Sequence, residues 1–333
     1  MRPRELRSLS ALIVACCLLV LLLSACFQIP GLGIVPGNEI VWQQHTWDGL
    51  DRVVGVYTPH ELQSPAPLVF LLHGGGGSAA KTWNQEHARS WKTLSDTYGF
   101  VLALPQGVHD PGDESAHHWN DCRVGEQGSA IETSADDVGF ITELIGVIGA
   151  EISVDPLRVY ATGASNGGMM TFRLAMEAGG QFAAMAAIIA NLPEPSECTA
   201  EAEPIPMLIM NGNEDPLIPF EGGCVVNALC NRGRVMSTAD TVAYWIDANG
   251  ASSDAVLDRL PNRAWFDDSR VIVYRFAGGA DGEDVVYYHI QGGGHTVPGY
   301  ERESAAYLAI AGPKNRDIDA PTEIWNFFLE SSP

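Results

Sequence analysis

Residues 161–170 read ATGASNGGMM. One serine stands among three glycines, with no charge. Gly163-Ala164-Ser165-Asn166-Gly167 fits the pattern G-x-S-x-G, in which a serine sits on a sharp turn between a strand and a helix. The flanking segments supply that context. RVYATG, residues 158–163, reads as a strand, and Asn166 to Ala178 reads as a helix. Glycines two places to either side of Ser165 let the chain bend without side-chain collision. The hydroxyl then stands at a helix N-terminus, whose dipole favours developing negative charge.

Working outward, the chain alternates strand-like and helix-like segments. EIVWQQHTW and DRVVGVYTP, bridged by DGL within residues 39–59, predict an opening antiparallel pair. LVFLLHGGGG, from Leu68, is a continuous apolar run that ends in glycines, the pattern of a buried central strand entering a loop. Helical spacing follows over residues 81–98, and FVLALP, from Phe100, predicts a second buried strand. Residues 106–135 are polar and read as one long loop. Asp136 to Ala150 predicts a helix with an aspartate cap. FAAMAAIIA and PMLIMNG predict two more strands, Ser237 to Asn249 a helix, RVIVYRFAG and VVYYHI late strands, and Pro321 to Leu329 a closing helix. This alternation predicts one α/β domain over residues 39–333, with a mainly parallel central sheet flanked by helices.

Composition sets the bounds. The 333 residues are 46% hydrophobic and 18% charged, which is globular rather than disordered. A formal net charge of −22 disfavours nucleic acid, whose phosphates need lysine and arginine. The N-terminus stands apart. MRPRELR carries three arginines, an uncharged apolar run from Ala11 to Leu23 follows, and LSAC closes at Cys26. The run is short for a spanning helix of about 20 residues. The layout is that of a secretory signal over residues 1–25. LSAC resembles a bacterial lipobox, which implies a lipidated Cys26, a Pro/Gly-rich tether to residue 38 and an extracytoplasmic, membrane-anchored protein. An ordinary signal peptide and an uncleaved anchor are the alternatives, and Cys16 is a second lipidation candidate.

Seven cysteines are present. With Cys16 and Cys17 in the signal and Cys26 in the lipobox, Cys122, Cys198, Cys224 and Cys230 remain. An even number in an exported chain predicts disulfides. Cys224 and Cys230 are neighbours in sequence and are expected to pair, leaving Cys122 with Cys198. No CxxC spacing is present, so a zinc site is not expected.

A serine alone is a poor nucleophile, and a base and an orienting acid must follow it in the order Ser, Asp or Glu, His. His289 and His295 are the late histidines near strand ends. His295 follows three glycines in GGGHTVPG, a loop position from which it can reach Ser165, and it is preferred. After the PMLIMNG strand, Glu214 and Asp215 compete for the acid, and Asp215, fixed in an Asp-Pro turn, is preferred. The backbone N–H groups that bind an oxyanion are expected from Asn166, which follows the serine, and from Gly75 in HGGGGS, with Gly74 or Gly76 as alternatives. A phosphate-binding reading of those glycines fails for want of GK[ST] or GxGxxG. Trp119, in HHWNDC, is a candidate for lining the substrate groove. His117 and His118 beside it lack a third metal ligand and read as polar loop groups.

HGGGGS, DDVGF (residues 136–140), YATGASNGGMM, NGNEDPLIPFEGG and GGGHTVPG occur in that order over residues 68–299. Together they resemble the polyhydroxybutyrate depolymerase and feruloyl esterase branch of the α/β-hydrolases. The resemblance implies an α/β-hydrolase fold, carboxylic-ester hydrolysis without a cofactor, and Ser165, Asp215 and His295 as the triad. Members often carry methionine where Ala164 stands and an aromatic residue where Val297 stands. Both positions therefore bear on the acyl pocket. The implied substrates are feruloyl or acetyl esters of plant polysaccharide, or hydroxyalkanoate oligomers. A peptidase of the same fold and a non-catalytic surface binding lipoprotein are the rival readings.

Overall fold

The computed structural model describes residues 37–110, 112–125, 134–226, 230–278 and 282–332. All of them fall in one compact unit, Gly33–Pro333. The signal, Cys26 and all but the last two tether residues lie outside the described residues.

The chain opens with β1 (Ile40–Trp47) and β2 (Leu50–Tyr57), an antiparallel hairpin in which Trp47 pairs with Leu50. Its two turn residues, Asp48 and Gly49, both have positive φ (47° and 75°), the geometry that matches strand twist in a tight hairpin. β3 (Ala66–Leu72) follows, then two helices, α1 (Ala79–Trp83) and α2 (Glu86–Tyr98), where one was expected over 81–98. Ser78 starts α1 by accepting from the Lys81 amide at 3.1 Å. The helix ends at Asn84, whose amide is shared between the carbonyls of Ala80 and Lys81.

β4 (Val101–Pro105) leads into the region read as a long loop. That reading is corrected: β5 (Val108–Asp110) and β6 (Asp113–His118) form a separate hairpin there. DESAHH has no apolar alternation, so nothing in its pattern marks a strand. Backbone pairing holds it, including a bridge from His117 to Gly77.

α3 (Asp137–Gly149), β7 (Val154–Ala164), α4 (Asn166–Ala178), β8 (Ala184–Ile188) and β9 (Met207–Gly212) build the centre. Asp136 caps α3 through the Gly139 amide at 2.8 Å. A short ribbon, β10 (Gly223–Cys224) with β11 (Arg234–Val235), precedes α5 (Thr238–Ala248). The chain closes with β12 (Val256–Arg259), β13 (Arg270–Phe276), β14 (Val285–Gln291), α6 (Ala305–Ala311) and α7 (Ala320–Glu330). β12 and α6 were not expected. β12 is an exposed edge strand and α6 is only seven residues long, so neither carries a full amphipathic repeat.

Ten strands make one sheet in the order β1-β2-β4-β3-β7-β8-β9-β14-β13-β12. The pairings from β4 through β14 are parallel, and those at both edges are antiparallel. This is the mainly parallel α/β-hydrolase sheet. β3, β4, β8 and β9 are buried at every residue, as strands covered on both faces must be. On one face, Trp325 of α7 lies 4.1 Å from Phe100 and Phe328 lies 4.6 Å from Tyr160, centroid to centroid. On the other, Phe172 of α4 stacks 5.8 Å from Trp245 of α5.

Both expected disulfides form, Cys122–Cys198 and Cys224–Cys230. The parallel strands β3, β7, β9 and β14 end on one edge of the sheet, where such sheets place their ligand crevices.

Candidate active site

Ser165 sits between the last residue of β7 and the first of α4 with φ 59° and ψ −124°. An L-residue with a side chain rarely adopts this left-handed φ, and holding it costs about 1–3 kcal/mol. The Ser165 amide donates to Ile188 O at 3.0 Å and its carbonyl accepts from the Met169 amide at 2.9 Å, which locks the turn. Neither flanking glycine has positive φ. What they supply is room. A Cβ on Gly163 would collide with the Gly167 carbonyl, and one on Gly167 would stand 2.6 Å from His73 O.

The acid and base meet across 80 residues. His295 Nδ1 lies 2.7 Å from Asp215 Oδ2, with both side chains nearly buried. Asp215 Oδ1 accepts from the amides of Leu217 and Ile218 at 2.7 and 2.8 Å. The carboxylate is thereby fixed in place beside His295. With the proton on Nδ1, Nε2 is left as an acceptor. Glu214 is exposed, and among the described residues the hydrogen bond of the His295 ring is to Asp215, not to Glu214. His289 stacks on Phe220 (5.2 Å) and Tyr287 (5.8 Å) and does not line the cleft.

The His295 loop is fastened from α6. The His295 amide donates to Ala311 O at 2.5 Å, and Tyr307 donates through its hydroxyl to His295 O at 3.2 Å. Tyr307 also lines the cleft, and burial raises its phenol pKa. Its role was invisible in the sequence, because α6 itself was.

Ser165 and His295 open on one cleft of about 890 Å³. The HGGGGS loop forms its floor. The Gly76 amide donates to His117 O (2.9 Å) and the Gly77 amide to Gly74 O (3.0 Å), so both are occupied. Among the alternatives of the sequence reading this removes Gly76 and leaves Gly75 with Gly74. Asn166 is the first residue of α4, so its amide has no acceptor within the helix.

The Asn166 side chain has a separate task. Its Oδ1 accepts from the Trp119 amide at 2.8 Å, and its Nδ2 donates to Trp119 O (3.0 Å) and Asp121 Oδ2 (2.7 Å). Asp121 is in turn paired to Arg123 at 2.8 Å, both fully buried. Asp137, within DDVGF, accepts from the Asn120 amide at 2.7 Å and pairs with buried Arg52. Residues 119–123 therefore form a brace behind the nucleophile turn.

Trp119 belongs to that brace. It was expected in the substrate groove. It is instead fully buried, donates from Nε1 to His73 O at 2.9 Å, and does not line the cleft. His73 beside it is held neutral, its pKa lowered to about 3 by burial, and accepts from the Gly107 amide at 3.0 Å.

His118 is also corrected: it lies on β6 rather than in a loop, and it lines the cleft. Its Nδ1 is 2.8 Å from Asp110 Oδ1 and its Nε2 is 3.3 Å from the Arg232 guanidinium. Burial lowers its pKa. Ala164 and Val297 line the cleft, beside an apolar wall of Met169, Ile189, Leu217, Ile218 and Val225. Lys81, Gln85, Asp113 and Arg232 form the polar side.

Comparisons with known proteins agree with this fold. No family model matches the chain. It is 33% identical over 273 residues to the putative esterase NocK of Nocardia uniformis subsp. tsuyamanensis, covering 79% of this chain and 74% of that protein. It is 25% identical over 181 residues to a probable feruloyl esterase C of Aspergillus niger, covering 54% and 60%. An acetyl xylan esterase from Aspergillus awamori superposes with a TM-score of 0.51 at 17% identity, over 77% of this chain and 94% of that one. Esterase PE8 superposes with a TM-score of 0.50 at 15% identity, over 83% and 96%.

Proposed function

The chain belongs to the esterase family of that Nocardia relative, on the α/β-hydrolase fold, and is a carboxylic-ester hydrolase, and from that premise we propose that Ser165, His295 and Asp215 carry the reaction. The observation that supports this most is the Asp215–His295 pair, which opens on the same cleft as a serine held at positive φ.

Ser165 Oγ attacks the ester carbonyl carbon as His295 Nε2 takes its proton. Asp215 keeps the other imidazole proton on Nδ1 and stabilises the imidazolium. The amides of Asn166 and Gly75 bind the oxyanion that forms, in a site already oriented before substrate arrives. Collapse expels the alcohol with the proton from His295 and leaves an acyl-Ser165. A water, deprotonated by His295, then attacks the acyl carbon, and the acid leaves.

The substrate we propose is a hydroxycinnamate or acetyl ester carried on plant polysaccharide. The apolar wall that runs from Ala164 to Val297 suits an aryl acyl group, and the polar side suits a hydroxylated alcohol. Purified protein is tested on methyl ferulate, p-nitrophenyl acetate, a hydroxybutyrate oligomer and a peptide amide. The proposal expects turnover of the first two, and a preference for the amide would overturn it.

We further propose an exported protein anchored through lipid at Cys26. LSAC after an apolar run supports this, as do two disulfides, which persist in oxidising compartments. Cys26→Ser should release the protein from membranes, and a variant that stays bound would exclude the anchor.

A further inference from the structure

The loop before β13 exposes two large aromatic rings side by side. Trp265 is 76% exposed and Phe266 is 56% exposed. Their ring centroids lie 6.0 Å apart at 82°, so they form a corner. Single exposed apolar residues are ordinary, but an adjacent tryptophan and phenylalanine keep a large apolar area in water.

The loop is rigidly held. Buried Asp317 accepts from the amides of Arg263 and Ala264 at 2.6 and 2.8 Å. Asp267 accepts from the Arg316 amide at 2.9 Å, and the Arg316 guanidinium sits 5.3 Å over the Phe266 ring. Half-exposed Tyr300 joins them, accepting from Arg263 at its hydroxyl (3.1 Å) and from Arg316 at its carbonyl (2.6 Å). None of these bonds helps ester hydrolysis directly. Together they hold two apolar rings out in solvent.

Phe266 forms one wall of a groove of about 330 Å³. The rest of the lining includes three acids, Asp267, Glu301 and Glu303, and three bases, Arg302, Lys314 and Arg316. Glu303 lines the catalytic cleft as well, so the groove and the cleft adjoin at this residue. Equal numbers of opposite charges favour a neutral ligand. Carboxylates accept and guanidinium groups donate, which fits hydroxyl groups, since each hydroxyl does both. A polyester chain offers acceptors but no donors, so it matches the basic groups and not the carboxylates.

We propose that Trp265, Phe266 and the adjoining groove bind a neutral polysaccharide, with a sugar ring stacked on Trp265 and the chain running past Glu303 into the catalytic cleft. The link to the cleft rests on the proposed function, whereas the platform itself does not. Holding the polymer at a second site raises the effective concentration of its esters at Ser165.

The test is affinity electrophoresis of the full chain in neutral arabinoxylan, for wild type, Trp265→Ala and Trp265→Phe. Retention should fall about tenfold in Trp265→Ala and largely persist in Trp265→Phe. Turnover of p-nitrophenyl acetate and the melting temperature should stay at wild-type values. Equal retention of wild type and Trp265→Ala would overturn the proposal. So would Trp265-dependent binding to polyhydroxybutyrate granules without binding to arabinoxylan, which would make the occupant a polyester. Trp265-dependent glycan binding in a protein without ester turnover would sink the proposed function and leave this platform standing.

Discussion

Gly75→Ala isolates one amide of the proposed oxyanion site. Gly75 lies outside the left-handed region, so its backbone accepts alanine without strain. The obstacle is a neighbour. A Cβ there would stand 2.8 Å from His118 Cδ2, 2.9 Å from His118 Nε2 and 3.4 Å from Asn166 Cβ. The His118 ring resists displacement, being 6% exposed and tied to Asp110 at 2.8 Å and to Arg232 at 3.3 Å. The 73–77 loop is therefore expected to shift, and the Gly75 amide with it. Loss of one oxyanion donor costs about 10²–10³-fold in kcat, roughly 3–4 kcal/mol. KM should change little, because the amide acts on the transition state. Overpacking should also lower folding stability by about 1–3 kcal/mol. Steady-state hydrolysis of p-nitrophenyl acetate measures the first effect and urea unfolding the second. His118→Ala combined with Gly75→Ala removes the clash and should recover much of the loss, a non-additive result that the single variants calibrate. A Gly75→Ala protein with wild-type kcat would refute Gly75 as a donor.

Asp215→Asn should lower kcat by about 10⁴-fold, through the wrong imidazole tautomer, while leaving the fold intact. Glu214→Gln, at an exposed position off the His295 contact, should leave steady-state rates unchanged. Acid should weaken the fold through His73, which is buried as the neutral form with its pKa lowered to about 3. The unfolded chain binds this proton near pH 6.5 and the native chain does not. Stability is therefore present above pH 6.5 and is lost as pH falls towards 3, by at most about 1.4 kcal/mol per unit for one proton. Chemical unfolding at stepped pH, with His73→Asn for comparison, should show a shallower acid slope in the variant.

Much of this architecture is written locally in the sequence. β3, β4, β8 and β9 are continuous apolar runs because both faces are covered, and the strand-GxSxG-helix order places Ser165 without tertiary information. Asp215 and His295 were legible through their turn residues, Pro216 and the glycines before His295. What stayed hidden depends on contacts distant in sequence. β6 is a polar strand that exists only by pairing with β5 and Gly77. With that hairpin unseen, His118 read as a loop residue rather than as part of the cleft wall. Trp119 was misplaced for a similar reason. An aromatic residue in a polar stretch suggests a groove, but this one is buried by Asn166 and His73, 46 or more residues away. The Asn166 side chain was unreadable likewise, because its partners Trp119 and Asp121 come from that same segment. Tyr307 reaches His295 from a helix too short to show a periodicity.

The central claim is that Ser165 forms an acyl-enzyme. A fluorophosphonate that mimics the tetrahedral intermediate tests it directly, with the adduct located by mass spectrometry of the digested protein. One adduct is expected, on the peptide that contains Ser165, and a Ser165→Ala protein should have neither adduct nor ester turnover. An adduct on a different serine, or full turnover by Ser165→Ala, would contradict it.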